Sequence, residues 1–302
     1  MKLGIKVSLQ SYSLSDINQV HPQAAEVWFD ISRTQEYSGL FRKLSILRVE
    51  TGLHFWGSLA DGTLVNISYP DKELNKASMN LIKKAIDIAA QNHFVYVNIH
   101  PGSQARVKVN FRAMKYLAVD NPTELSGAIN RFIDNALMLS EYARSRSVVF
   151  TVETVSRLSP LKDWYNPESR LTPINIYDLP IEAIELSARH KIAIANDFVH
   201  TATHAPSTEP TAIWEFLKAK TQKLLSQTKL IHLGFLIPPF NGVDNHDMLD
   251  NPIFNTNRAV PNRTQVKELL SLYKDKDVWI ITEPRANHAK NYLLAQKLLS
   301  EV

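Results

Sequence analysis

Eight short apolar runs, spread over the whole chain and separated by segments of helical period, constrain this sequence more than any other feature. The runs, rich in Val, Ile and Phe, are 3–8 (LGIKVS), 25–30 (AEVWFD), 51–56 (TGLHFW), 93–100 (HFVYVNIH), 148–154 (VVFTVET), 192–198 (IAIANDF), 229–235 (KLIHLGF) and 278–283 (VWIITE). Runs of this kind read as strands of a parallel sheet buried on both faces. Between them, 74–91 places Leu81, Ile82, Ile86 and Ala89 on one stripe. The segment 122–146 is expected to start with Asn121 as cap and Pro122 in its first turn. Its apolar positions Ile129, Phe132, Ile133, Ala136, Leu137 and Leu139 recur near helical spacing. Further helices are expected over 180–190, 210–227, 263–274 and 286–300, and the first connection has room for only a short one.

Strand alternating with helix eight times in 302 residues predicts an α/β fold, a (β/α)8 TIM barrel with a parallel, closed eight-stranded sheet, as a single domain over 1–302. The rival is an open doubly wound sheet, whose dinucleotide turn needs Gly-x-Gly-x-x-Gly after an early strand. No such turn is present, and the chain has only nine glycines.

Cysteine is absent, which excludes disulfides and thiolate metal ligands. The first residues alternate apolar and polar without a run of signal-peptide length, and no stretch approaches the ~20 apolar residues of a membrane span. A cytoplasmic protein without a membrane partner is expected, with no signal for its oligomeric state. The net charge of +4 is compatible with a phosphate-bearing ligand, but a nucleic-acid surface also needs clustering.

Most of the apolar runs end in a side chain that can ligate a metal. The third carries His54, the fourth ends in His100, and the fifth carries Glu153. The sixth ends in Asp197, with His200 three residues later. The seventh carries His232, the loop after it Asp244 and His246, and the eighth ends in Glu283. Singly, several have plain structural readings: His54 as a rim histidine, His100 as a turn residue before Pro-Gly-Ser, Asp197 as a helix cap. Glu153 and Glu283 are harder to dismiss, since an unpaired carboxylate after an apolar strand is expensive. In a parallel barrel all strand C-termini open on one face, so these residues converge. Oxygen and nitrogen donors without sulfur suit Zn, Mn, Fe or Mg, and the many histidines favour the first three.

The pattern resembles the xylose isomerase-like TIM barrel superfamily, and within it the endonuclease IV branch (AP endonuclease family 2). The motifs that carry the resemblance are His100-Pro101-Gly102-Ser103, Glu153, Asp197-Phe198-Val199-His200, His232-Leu233, Val243-Asp244-Asn245-His246 and Glu283, with His54 in the place of the family's first histidine ligand. The resemblance covers nearly the whole chain in strand order. It implies up to three zinc ions. His54, His100 and Glu153 would hold one; Glu153 would bridge to a second held by Asp197, His232 and Glu283; His200, Asp244 and His246 would hold the third. The chain departs from the family after the seventh strand, where His232-Leu233-Gly234-Phe235 replaces a polar pair. It departs again in Asp247-Met248-Leu249-Asp250-Asn251-Pro252 and in the loop 55–61.

Two chemistries follow. A metal-dependent phosphodiester hydrolase, as the resemblance implies, would act on abasic or damaged DNA, with Glu153 and Glu283 positioning metals and water. Trp56, Trp164 and Tyr165 would then stack on or wedge beside bases. Arg106, Lys108, Arg112 and Lys115 would meet phosphates, although such a basic run is equally a solvated loop. The alternative is a single-metal sugar or sugar-phosphate isomerase or epimerase. There the ion would sit on Glu153, Asp197, His232 and Glu283, and the two glutamates would move protons beside a carbonyl. That reading leaves His54, Asp244 and His246 without a required role.

Overall fold

The eight apolar runs form the eight strands of one closed parallel barrel. The protein, described here as a computed structural model, is defined over residues 1–110, 115–157, 177–240, 244 and 246–302. The barrel strands are β1 (Lys2–Val7), β2 (Ala24–Asp30), β3 (Glu50–Trp56), β4 (Tyr96–Ile99), β7 (Val149–Glu153), β8 (Ala193–Asp197), β9 (Thr228–Leu233) and β10 (Trp279–Thr282). They close in the order β1-β10-β9-β8-β7-β4-β3-β2, every pair parallel, from Ile5 beside Thr282 to His54 beside Asn98. β5 (Val107–Asn110) and β6 (Lys115–Ala118) form a separate antiparallel hairpin after β4. The run 107–109 alternates apolar and polar residues, which is a strand period, so this basic stretch is a hairpin and not the loop that its charge suggested.

Side-chain alternation along each strand divides the molecule into two apolar layers. One phase, including Leu3, Ile5, Val27, Phe29, Leu53, Val97, Phe150, Ile194, Ile231 and Ile280, packs outward against the helices. The other phase points into the barrel, where Ala24, Tyr96, Ala195, Leu230, Trp279 and Ile281 form a small cluster of their own. Gly52 makes room for this floor, because a Cβ there would lie 2.1 Å from Cζ of Tyr96. Below it, Lys2 Nζ and Trp279 Nε1 both donate to Glu50 at 2.7 Å.

The outer ring contains α1 (Ser11–Val20), α2 (Ser38–Ile46), α3 (Lys72–Gln91), α4 (Leu125–Arg144), α5 (Ile181–Arg189), α6 (Phe198–Thr203), α7 (Pro210–Leu224), α8 (Arg263–Ser271) and α9 (His288–Leu299). Local chemistry sets their starts. Asp71 accepts from the amides of Glu73 and Leu74 at the head of α3, and Asn262 with Gln265 closes a capping box on α8. The start expected at Asn121–Pro122 is corrected to Leu125. Glu124 is the cap, its carboxylate accepting from the amides of Ser126 and Gly127, while Thr123 is tied back to the carbonyl of Gln104. α2, which the apolar pattern did not reveal, follows a 3-10 turn over Ile31–Tyr37. Among the described residues no helix is long and apolar enough to cross a membrane.

Candidate metal centre

Directly above the apolar floor, the inward phase of the same strands turns polar. Glu26, His54, Asn98, Glu153, Asp197 and His232 stand there, each at most 2% exposed. The nine residues singled out in the sequence come together around Glu153 and Asp197. His54 Nε2 is 3.2 Å from His100 Nε2 and 3.4 Å from Glu153 Oε2. His232 Nδ1 is 3.3 Å from Glu153 Oε1, 3.6 Å from Asp197 Oδ2 and 3.1 Å from Glu283 Oε2. His246 Nε2 is 2.9 Å from Asp197 Oδ2, its Nδ1 is 2.5 Å from Asp244 Oδ1, and His200 Nε2 is 3.4 Å from Asp244 Oδ2.

Backbone and neighbouring side chains aim these groups. The amide of Asn98 donates to Glu153 Oε2 while its own oxygen accepts from Thr151 at 2.9 Å, so Glu153 presents Oε1 to the centre. Asp197 caps α6 through one oxygen, which accepts from the amide of His200 at 2.8 Å, and offers the other to His246. The cap reading and the site reading of Asp197 are therefore both met by one side chain. His200 Nδ1 donates to the carbonyl of Thr154 at 2.8 Å, leaving Nε2 towards Asp244. Gly234 lets His246 fold in over the end of β9: a Cβ there would lie 2.8 Å from its ring.

These residues fit divalent cations. Glu153 Oε1, His232 Nδ1 and Glu283 Oε2 are buried donor or acceptor atoms without a hydrogen-bond partner among the described residues, and they face one another. Buried polar atoms are rarely left so unless something else satisfies them. The donors fall into groups compact enough to hold an ion: His54, His100 and Glu153; Glu153, Asp197 and His232; Asp197, His200 and His246; and Glu26, His54, His232 and Glu283. The electrostatics agree with that fit. Burial would raise Glu153, but His232 and His54 hold it well below the usual carboxylate range. Burial likewise opposes the charge on His200, His232 and His246, yet the surrounding carboxylates push all three up, His246 to about 10.

Sequence reasoning missed Lys6 and Glu26, which lie against the same cluster. The Lys6 ammonium is 2.5 Å from Glu26 Oε1 and 2.9 Å from Glu283 Oε1. Both sit mid-strand inside apolar runs, at the inward phase shared with His54 and Glu153; that phase was the signal that could have found them. Asp178, on the cavity wall beside the centre, is another, pushed up to about 8 by desolvation against the pull of His200.

The expected substrate contacts are distributed unevenly. Trp56 stands at the centre, its ring 5.5 Å from His54 and 4.8 Å from His100. Arg106 and Lys108 lie on the hairpin, paired with Asp120 at 3.1 Å and Asp61 at 3.7 Å. Arg112, Trp164 and Tyr165 lie outside the described residues. A cavity of about 350 Å³ opens beside the centre, walled by Phe55, Trp56, Ile67, Ile99 and Val155 as well as by the ligating groups.

A D-tagatose 3-epimerase-like protein superposes on the chain with a TM-score of 0.67 at 17% identity, over 100% of this chain and 98% of that one. Endonuclease IV of Thermus thermophilus does so with a TM-score of 0.59 at 15% identity, over 100% of both chains. The chain shares the closed eight-stranded β/α-barrel fold of these two proteins. In sequence, a probable endonuclease 4 of Natronomonas pharaonis is 32% identical over 85 residues, which is 28% of this chain and 29% of that protein. The match thus spans under a third of that relative. No protein-family model matches the chain.

Proposed function

We propose that this protein is a metal-dependent hydrolase of phosphate esters, with a di- or trinuclear, zinc-type centre at the C-terminal mouth of the barrel. One observation carries the reading. His200, Asp244 and His246 are brought together beside Asp197, with His246 within 2.9 Å of Asp197 and His200 within 3.4 Å of Asp244. A single-metal isomerase has no use for that third group of donors. The partial match to a probable endonuclease 4 supports the same direction.

In this reading His54, His100 and Glu153 would hold one ion. Glu153, Asp197, His232 and Glu283 would hold a second, and His200, Asp244 and His246 a third. Bound divalent ions supply electrostatic stabilisation of a phosphoryl group and a lowered pKa for attacking water. The chain's own residues do the rest. Glu153, fixed by Asn98, serves two adjacent positions with one carboxylate. Glu283, 24% exposed on its side chain, stands where the centre meets solvent and can take a proton from water. Trp56 offers an apolar face beside His100 for the organic part of a substrate, and DNA with an abasic site is the substrate class that the motif resemblance to endonuclease IV implies. Incubating zinc-loaded protein with abasic duplex DNA, and in parallel with small phosphate monoesters and diesters, tests the reading. Metal-dependent cleavage of any of these is expected, and cleavage of none removes it.

A second reading, a sugar or sugar-phosphate isomerase or epimerase, draws on the cavity. Its volume of about 350 Å³ suits a small molecule better than a duplex, and Arg106 and Lys108 are already paired with acids. Incorporation of solvent deuterium into a ketose, with no phosphate ester cleaved, is the result that would favour it.

A further inference from the structure

The ligating groups stand between two openings of unlike character. On one side lies the cavity of about 350 Å³, with His54, His100, Glu153 and His200 at one end of it. On the other side a groove of about 1140 Å³ runs past Lys6, Arg33 and Arg285. Asp244, His246 and Glu283 line both. The groove carries three cations, whereas among the described residues the cavity wall has no lysine or arginine. Away from the ligating groups that wall is made chiefly of Trp56, Val65, Ile67, Ile82, Ile99 and Val155.

Two polar side chains of the wall are engaged in holding it together. Asn66 donates to the carbonyls of Ser103 at 2.8 Å and Ala105 at 3.1 Å, and its oxygen accepts from the amides of Ser68 at 2.9 Å and Ser103 at 3.2 Å. Ser103 Oγ donates to the carbonyl of Tyr177 at 3.0 Å and accepts from the amide of Ala105 at 3.1 Å. The ionisable group that remains apart from the ligating residues is the Asp178 carboxyl, which supplies no positive charge. The segment bearing Val65 is fixed from two sides: the amide of Leu64 donates to the carbonyl of Val107 at 2.7 Å, and that of Val65 to the carbonyl of Gly57 at 3.0 Å. The cavity is therefore built in advance. Protein interiors seldom leave voids larger than a water molecule, and ordered water needs two to four polar partners. An apolar group that enters such a cavity gains by leaving water. A second phosphate that enters it loses its hydration with no cation to replace it.

We propose that the substrate is a phosphate ester of a small, uncharged and largely apolar alcohol, whose organic group enters the cavity against Trp56, Ile67 and Ile99 with its phosphate at the ligating groups. Val65, Ile67, Ile99 and Val155 are then specificity-determining residues. A nucleic-acid strand fits this cavity poorly, because it carries a phosphate on either side of the reacting one. The groove opposite, with Arg33 and Arg285, leaves room for a polar remainder of the substrate. The inference rests on the hydrolase reading above and narrows its substrate.

Alkylphosphonates test it, because they keep the phosphoryl head, vary the organic group and resist hydrolysis. Their affinity for the zinc-loaded protein is read by calorimetry. It should rise about fourfold for each added methylene that the cavity buries, on the order of 60-fold from methyl- to butylphosphonate. The charged analogue 2-carboxyethylphosphonate, of similar length, should bind no more tightly than methylphosphonate. Equal affinity for methyl- and butylphosphonate, or tighter binding of the carboxyethyl compound than of the butyl one, overturns the inference while leaving the hydrolase reading in place. No zinc-dependent binding of any member overturns both. Val65 is half-buried on the cavity wall, and Val65→Trp places an indole there. The preference for butyl over methyl should then vanish, and a folded variant with the wild-type preference overturns the assignment of this cavity. The wild-type series decides the question even if the variant fails to fold.

Discussion

Two layers of the same barrel interior, two residues apart on the same strands, are built on opposite principles. On β2, β4, β8 and β9 the floor residues are Ala24, Tyr96, Ala195 and Leu230; two positions on stand Glu26, Asn98, Asp197 and His232, all of them fully buried. After β10, Glu283 likewise follows Ile281. The floor excludes water by shape, with Tyr96 packed where Gly52 leaves room for it. The upper layer gathers carboxylates and imidazoles that no folding requirement calls for, with atoms of Glu153, His232 and Glu283 lacking hydrogen-bond partners among the described residues. One layer stabilises the barrel, and the other carries groups whose burial is unfavourable unless a cation compensates it. In barrels of this kind, polar residues at the strand C-termini read as chemistry and the opposite end as stability.

Substitutions can break that contrast, and the largest effect is expected in the floor. Tyr96→Ala should destabilise the fold by about 3–5 kcal/mol, read by urea denaturation. Glu153→Gln, in the upper layer, should change metal-free stability by no more than about 1–2 kcal/mol yet abolish binding of the ions that Glu153 would bridge. Equal destabilisation by the two would dissolve the distinction between the layers.

Loss of a single metal ion should come next in size. Each ion present at a hundred times its dissociation constant adds about 2.7 kcal/mol to stability, so a chelator should lower the melting temperature of the zinc-loaded protein. A chelator-insensitive melting temperature would say that the upper layer is a structural charge network.

The pH dependence sharpens the same point. The carboxylates hold His246 up at about 10, and raise His200 and His232 as well, against about 6.5 for an unfolded histidine. A raised histidine contributes stability that is fully present below its unfolded pKa and is lost as pH rises through the folded one. Metal-free protein should therefore lose stability between about pH 6.5 and pH 10. Because metals take neutral imidazole, zinc uptake at neutral pH should release protons, measurable by calorimetry in buffers of different ionisation enthalpy. The smallest effect belongs outside both layers: Arg106→Ala and Lys108→Ala, on the hairpin, should shift stability by about half a kcal/mol or less.

The barrel was legible because its strands are continuous apolar runs, and their ends fell within a few residues of those read from the sequence. The polar layer was legible where a metal-capable side chain closed such a run, as at His100, Glu153, Asp197 and Glu283. Lys6 and Glu26 escaped because a single charge inside LGIKVS or AEVWFD reads as a break in hydrophobicity. Only the barrel's closure shows that both face inward at the height of His54. The hairpin escaped because its charges outweighed its alternation, and α2 because its buried face is short, comprising Leu40, Phe41 and Leu44.

The count of divalent ions tests the central claim most directly. Zinc-loaded protein, desalted and analysed for elemental content, should carry about three ions per chain. His246→Ala should lose one of them and keep the rest. A count near one in the wild type, unchanged by His246→Ala, would contradict the multinuclear centre.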